Sequence, residues 1–514
     1  MIIAGVSSGA GKTTVAAGLM TAFSRLGRRV APFKVGPDFI DPGYHRLAAG
    51  CVSRNLDAWM CGDEIVRPLF LRGARTPRNM FGMGADLLGQ PSAPADLAIV
   101  EGVMGLFDGV SGSDDRASTA HVARLLQAPI ILVVDAKATG RSVGALVHGY
   151  RTWDPRVELA GLIFNRVGSS HHAEILCEAV RGSGVPVLGC LPRADAFVFR
   201  DRHLGLVPVV EDPQGVQARL EILATQIADC LDLGLVESIA RSAPPLAGVP
   251  WAPPSFTSSL ERTEAEVSEP SGVTEPEASE LSGKTPDGAP LRIGVAGGPV
   301  FSFLYPENLE VLAAAGAELV SFDALTETLP EGISGLYFGG GFPEVHAGAL
   351  SANGALRREV RAAVHFGVAV YAECGGMLYL SRAIDGVPMV GAFPFDVHMG
   401  DRLHLGYAEG TALTDSPVAL QGKLCRGHVF HYTAVAETIG SIAPTWSPMW
   451  HLKGRRLDEI DGVVVGRTGA SYLHMHWAGD PSPAHRFLAV AAAGPRRRAE
   501  RGAGPRAGRE GKPA

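Results

Sequence analysis

Two short stretches hold the residue types that could do chemistry. Residues 2–14, IIAGVSSGAGKTT, run from an apolar, strand-like segment into a Gly/Ser-rich turn that ends Gly-Lys-Thr. Gly9 and Gly11 would let backbone N–H groups turn toward an anion. Lys12 could reach the outer phosphates of a nucleotide, and Thr13 could hold Mg²⁺ at a helix N-terminus, with Thr14 next in the same turn. The spacing from Gly5 to the Gly-Lys pair is one residue longer than in the usual phosphate loop. The second stretch is Tyr371-Ala-Glu-Cys374-Gly-Gly-Met. A strand that enters a tight glycine turn and then a helix lifts its central side chain into the open, and the helix N-terminus favours a thiolate. An unperturbed thiol is only about 3% ionised at pH 7, so Cys374 requires a base. The late cluster Ser471-Tyr-Leu-His474-Met-His476 offers two imidazoles. Gly340 and Gly341, one strand earlier, could supply backbone donors to an oxyanion.

These residues need a scaffold, and the pattern around them predicts an alternation of short β-rich runs and helices. A helix is expected over 12–26, with strands at 29–35, 97–101, 130–135, 159–165 and 187–191. A second series begins with a strand at 291–296 and continues with a helix over 307–315 and strands at 335–338 and 368–372. The expected fold class is α/β, with two doubly wound, mostly parallel-sheet domains. Ligands on such sheets sit at the carboxyl ends of the strands, where the polar motifs fall. Lys34-Val-Gly-Pro-Asp38-Phe-Ile-Asp41 follows the second strand, and Glu101-Gly-Val-Met-Gly-Leu-Phe-Asp108 the third. Between the two series, residues 243–290 turn to Pro, Ser, Glu, Thr and Gly. Such a segment cannot bury enough surface to offset its ordering entropy. The expected organisation is therefore 1–242, a disordered linker over 243–290, a second domain over 291–494, and a basic, disordered tail over 495–514.

With 514 residues, 46% hydrophobic and 19% charged, the chain has material for two cores. The net charge of −7 gives no reason to expect nucleic acid. Much of the asymmetry is local, since residues 255–290 carry eight acidic and two basic side chains while residues 495–514 carry seven basic and two acidic. Seven cysteines without a CxxC pair suggest free thiols in a reducing, cytoplasmic setting. No basic leader is evident, and no apolar run reaches the ~20 residues of a membrane span.

Taken in order, GVSSGAGKTT, KVGPDFIDPGYH, EGVMGLFDG, Arg202-His203-Leu-Gly-Leu206, FGGGFPE, AECGGMLYL, GHVFHYT and SYLHMH resemble the cobyrinate or hydrogenobyrinate a,c-diamide synthase family. The resemblance spans positions 5 to 476 and implies a P-loop NTPase-like domain of the dethiobiotin-synthetase type, followed by a class I glutamine amidotransferase-like domain. It implies ATP with Mg²⁺ at Thr13 and Glu101, and Asp38, Asp41, Glu101 and Asp108 around nucleotide, metal and substrate. Lys34 becomes a further phosphate or carboxylate contact, Asn165 a reader of the adenine, and Arg202 and His203 contacts to an acidic tetrapyrrole. Cys374 and His474 become the glutaminase pair. The implied reaction is ATP-dependent, glutamine-hydrolysing amidation of the a and c acetate side chains of a corrin, by way of an acyl phosphate and released ammonia. The expected partners are these small molecules, with no membrane and with a homodimer as a candidate assembly. Two departures stand out: Gly297-Gly298 occupies a position where many relatives carry Arg-Asp, and His476 stands where typical class I amidotransferases carry a Glu. His476 is then either a support for His474 or a packed residue. Competing expectations are a cobyric acid synthase-like or nickel-sirohydrochlorin amidase, and, in another class, a P-loop regulatory or partition ATPase with a degenerate second domain.

Overall fold

Strands made of continuous apolar runs must be covered on both faces, which is the condition for a parallel sheet flanked by helices. Ile130–Asp135, IILVVD, is the clearest case, with its first five residues buried. The computed structural model describes residues 1–75, 94–193, 208–254, 288–435 and 446–494, with the backbone of 201–202 and 205–206. His203 and the basic tail lie outside the described residues, as does the linker from 255 to 287.

The first sheet has seven strands: Ile2–Gly5 (β1), Val30–Val35 (β2), Arg54–Leu56 (β3), Leu97–Glu101 (β4), Ile130–Asp135 (β5), Leu159–Val167 (β6) and Val187–Pro192 (β7). Their order is β3-β2-β4-β1-β5-β6-β7, parallel throughout. Asp201–Arg202 (β8) and Gly205–Leu206 (β9) form a separate two-stranded hairpin. The expected strands recur within a residue or two, and the Lys12–Arg25 helix opens directly from the phosphate loop.

The second sheet is mixed. Arg292–Gly297 (β10), Glu318–Asp323 (β11), Gly335–Phe338 (β12) and Ala369–Glu373 (β13) form the parallel part. Ala383–Ile384 (β14), Val387–Pro388 (β15), Asp396–Ala412 (β16), Leu424–Val435 (β17), Ser447–Gly454 (β18), Leu457–Val465 (β19), Thr468–Ser471 (β20) and His474–Met475 (β21) complete it. The order is β11-β10-β12-β13-β20-β19-β18-β16-β14-β15, with β17 on β16 and β21 on β17. The β20 strand still pairs parallel to β13, but the β16–β19 strands are antiparallel to one another. Connections without a helical crossover leave only the antiparallel option.

The two sheets meet through buried charge. Arg54 on β3 has no exposed surface, and its guanidinium donates to Glu307 Oε1 at 2.6 Å and Glu310 Oε1 at 2.5 Å. Both carboxylates lie on the Pro306–Ala314 helix of the second sheet. Burial alone would weaken the charge on Arg54, and the two carboxylates outweigh it. Within the segment read as linker, Trp251 is buried, its backbone N–H bonded to Pro68 O at 2.8 Å and its indole N–H to Ala478 O at 3.3 Å. Packing thus extends past residue 243, because one large aromatic can bury area that the surrounding composition does not suggest.

Arg54→Met should cost roughly 3–5 kcal/mol, because it leaves two buried carboxylates without their partner. Chemical denaturation of both proteins checks this; a loss below about 1 kcal/mol would show that other cations carry the pair.

Candidate functional site

The phosphate loop is built as its residue types require. Gly11 sits at φ +95°, and a side chain there would run into the Asn165 amide, so only glycine fits. Lys12 folds back over the loop, its ammonium donating to Ser7 O at 3.0 Å and Met104 O at 2.6 Å. Burial first, then repulsion from Lys34, lowers it to about 8. Thr13 Oγ1 donates to Glu101 Oε1 at 2.7 Å. Gly9 lies at φ +74° on the exposed rim, and Thr14 follows in the first helical turn.

Lys34 and Glu101 are direct partners across β2 and β4, so their side chains leave the sheet together. Lys34 Nζ donates to Glu101 Oε1 at 3.0 Å and to Gly102 O at 3.2 Å, and makes a short ion pair with Asp41. Burial would lower Lys34, but Asp41, Glu101 and Asp38 together hold it above its ordinary range. Glu101 has no exposed surface. Burial would raise it, yet Lys34 and His45 keep it well below the usual carboxylate range. Asp38 Oδ1 caps the turn, accepting from Ile40 N at 2.7 Å and Asp41 N at 2.9 Å. Asp108 is exposed and accepts from Gly105 N at 2.8 Å, a turn role, while its charge still reaches Lys12.

Asn165 donates to Ala10 O at 3.0 Å and accepts from Arg166 N at 2.9 Å, so its amide lies against the phosphate loop with a second N–H and a second lone pair still to place. His45 was not anticipated: it is buried, with Nε2 2.6 Å from Glu101 Oε2 and Nδ1 3.2 Å from Ser53 Oγ. The available signal was its place four residues after Asp41 on the Asp41–Ala49 helix, hence on the same face. Arg202 lies on β8.

At the second centre, Cys374 is held at φ 43° and ψ −100°, a strained turn between β13 and the Gly375–Leu380 helix. The thiol is buried, 3.8 Å from Phe430 O, and burial pushes it far above its ordinary value. It lines a cavity of about 20 Å³ with Gly341, Glu344, Phe430 and His431. That volume holds about one water. Gly341 N stands beside Gly375, where two backbone donors could converge. Gly340 does not qualify, because its N–H is bonded to Phe303 O at 3.1 Å. Gly340 instead makes room for His474, whose ring would clash with any side chain there.

His474 has no exposed surface, and neither ring nitrogen has a hydrogen-bond partner among the described residues. Glu373, the residue before Cys374, brings Oε2 to 3.7 Å from Nδ1. Sequence reasoning passed over Glu373 because it sought an acid beyond the histidine, whereas the β13–β20 pairing supplies one from before the cysteine. Burial raises Glu373 to about 8. His476 faces elsewhere: its Nε2 is 3.4 Å from Glu307 Oε2, and it lies near Cys61 of the first domain. Burial would lower it, but Cys61 and Glu307 raise it to about 10, so His476 is packed into the inter-sheet charge cluster and does not support His474. His431, also unanticipated, donates from Nδ1 to Thr433 O at 2.8 Å and stacks on Tyr472 at 3.6 Å.

A phosphate loop on one parallel sheet and a buried cysteine elbow on the next define a nucleotide-binding domain joined to an amidotransferase domain. Residues 1–204 match the CobQ/CobB/MinD/ParA nucleotide binding domain, and residues 292–482 the CobB/CobQ-like glutamine amidotransferase domain. The chain is 46% identical over 495 residues to a hydrogenobyrinate a,c-diamide synthase from Streptomyces coelicolor, covering 95% of this chain and 96% of that one. It is 44% identical over 494 residues to the enzyme of the same name from Thermobifida fusca, with the same shares covered. A cobyrinate a,c-diamide synthase from Synechococcus sp. is 38% identical over 498 residues, covering 95% and 97%. The chain belongs to the hydrogenobyrinate/cobyrinate a,c-diamide synthase family.

The buried imidazole gives a pH prediction. Burial lowers His474 from 6.5 to about 3, so between those values the unfolded chain binds a proton that the native chain does not. Its contribution to stability is present above about pH 6.5 and is lost as pH falls toward 3. His474→Phe should therefore flatten the fall in melting temperature on acidification from pH 6.5 relative to wild type. An unchanged slope would mean that His474 is not a buried, neutral imidazole.

Proposed function

We propose that the protein is a hydrogenobyrinate a,c-diamide synthase, an ATP-dependent ligase that amidates the a and c acetate side chains of the macrocycle with nitrogen from glutamine. The observation that carries this reading is the pairing of both domains in one chain, with identity to enzymes of that name over almost its whole length. Relatives at 46% and 44% identity are named for hydrogenobyrinate, which favours it over cobyrinate, the name of the relative at 38%.

In the synthetase half, a substrate carboxylate oxygen attacks the γ-phosphorus of ATP, ADP leaves, and an acyl phosphate forms. Such a transfer needs charge neutralisation and positioning more than covalent help. Lys12 supplies a donor within the loop, and Lys34 a cation set among Glu101, Asp41 and Asp38. The adjacent Thr13 hydroxyl and Glu101 carboxylate fit Mg²⁺, an ion that takes one or two protein oxygens and completes its shell with water and phosphate. When bound, that ion would neutralise charge on the transferring phosphoryl group. Asp108 and the Arg202–His203 hairpin are candidates for the rim of the substrate site.

In the glutaminase half, Cys374 gives its proton to His474 and attacks the side-chain amide of glutamine. Gly375 N and Gly341 N face the developing oxyanion. An imidazolium at His474 favours ionisation of the Glu373 carboxyl beside it, so Glu373 takes the part of the missing acid. As the oxyanion intermediate collapses, His474 returns the proton to the leaving nitrogen and ammonia departs, and water then hydrolyses the glutamyl thioester to glutamate and frees Cys374. The ammonia displaces phosphate from the acyl carbon and gives up a proton as the amide forms.

Cys374→Ala should abolish glutamine-dependent synthesis and leave ammonium-dependent synthesis intact. Lys12→Ala should cut kcat for synthesis by roughly 10²-fold or more, since one lost donor in a dry site costs about 3 kcal/mol, yet spare glutamate release. Glutamate, amide and ADP measured side by side check both. Undiminished amidation in Lys12→Ala would overturn the assignment of the phosphate loop. Turnover on metal-free against cobalt-containing macrocycle decides between the two substrates.

A further inference from the structure

Among the described residues no hydrogen bond holds His474, so its ring is aimed by the nearby Glu373 carboxylate and by packing, and part of that packing, Phe39, comes from the other domain. Phe39, between Asp38 and Asp41, brings its ring centroid to 5.2 Å from that of His474, 4.4 Å from Tyr305 and 5.1 Å from Phe303. It packs against both hydrophobic cores of the protein. A second link runs from the same loop. Tyr305 Oη donates to Pro37 O at 2.9 Å and lies 3.1 Å from His428 Nε2. With the hydroxyl proton given to Pro37, His428 must be the donor to Tyr305. His428 in turn stacks on His474 at 4.9 Å and 15°. The segment 37–41 thus holds the glutaminase imidazole from two sides, by Phe39 directly and by Pro37 through Tyr305 and His428.

The other end of that segment lies in the phosphate site. Asp38 caps the turn carrying Phe39, and Asp41 is paired with Lys34, which shares Glu101 with Thr13 of the phosphate loop. A ligand that competes for Lys34 or Asp41 acts on the turn that bears the ring. We propose that Phe39 is a positioning residue for His474, through which the synthetase loop sets the orientation of the glutaminase base. The inference rests on the reading of His474 as that base. Coupling of this kind would release ammonia only when the synthetase loop is in its ligand-bound arrangement.

The test uses the full chain, with glutamate release measured with and without ATP and hydrogenobyrinate, and amide formation driven by ammonium as the second readout. Phe39→Ala should lower kcat for glutamate release by roughly 10²-fold, the cost of misplacing a catalytic group by about an ångström. KM for glutamine and ammonium-driven synthesis should stay within about threefold, and Phe39→Tyr, which keeps the ring, should recover most of the loss. Full glutaminase kcat in Phe39→Ala alongside an inactive His474→Ala overturns the role of Phe39 and leaves the base assigned. Full glutaminase in His474→Ala overturns the base itself and the inference with it. Loss of ammonium-driven synthesis together with glutaminase would mark Phe39 as a support of the synthetase loop alone, which also overturns the proposal. Should Phe39→Ala fail to fold, Tyr305→Phe removes only one hydroxyl. It should lower glutaminase kcat without affecting ammonium-driven synthesis, and unchanged kcat would count against the proposal.

Discussion

A guanidinium without solvent is tolerable only where carboxylates meet it, and Arg54 of the first sheet draws both of its carboxylates from the second. Desolvation makes this arrangement intolerant of error, because a slipped docking would leave several charges buried and unpaired. His476 adds to the constraint, joining Glu307 from its own side to Cys61 across the interface. Further contacts follow from that registration: Tyr407 donates to Asp57 Oδ2 at 2.8 Å, and the Trp59 ring lies tilted against Tyr407 at 4.7 Å. The aromatic cluster around Phe39 is placed by the same docking. A purely apolar interface could have permitted sliding; buried charge specifies one arrangement at some cost in stability.

Glu101 has the corresponding part inside the first domain. Its two oxygens meet Thr13, Lys34 and His45, so the phosphate loop, the second strand and the helix after the Asp38–Asp41 turn share one carboxylate. Lys12 and Lys34 stand among Asp38, Asp41, Glu101 and Asp108. An arriving anion changes the local charge at several residues together, because they are already bonded to one another. This gives a physical basis for a loop that responds to ligand, without any long mechanical path.

The parallel strands were legible in the sequence because burial on both faces leaves an uninterrupted apolar run, as in Ile130–Asp135, and because the polar motifs fall at strand ends. The antiparallel part was not. In β16 and β17 buried and exposed positions are mixed, so the strands read as polar sequence with scattered hydrophobics. Among site residues, those with unusual neighbours were legible: Lys12 in its glycine loop, and Cys374 in its elbow. That Asn165 also braces the phosphate loop was not legible, because its bond to Ala10 O joins residues far apart in sequence. Gly340 and Gly341 are indistinguishable by type, and the bridge from Gly340 to Phe303 is a tertiary fact. Glu373 escaped notice because its relation to His474 runs through strand pairing, which local spacing does not encode. Trp251 was masked by its surroundings, since composition averages over the one residue that packs.

The buried thiol and the ring contact between domains answer to the same chemical requirement. Ammonia is useful to an acyl phosphate only as the neutral nucleophile, and both it and the acyl phosphate are wasted on contact with bulk water. A glutaminase open to solvent at all times would spend glutamine without product. Burial raises the Cys374 thiol and lowers the His474 imidazole, which leaves each of them neutral. Neutral partners hold no ion pair to resist rearrangement, so small shifts in ring position can decide whether proton transfer is possible. Placing a side chain from the synthetase domain against that imidazole puts the decision where the acyl phosphate would form.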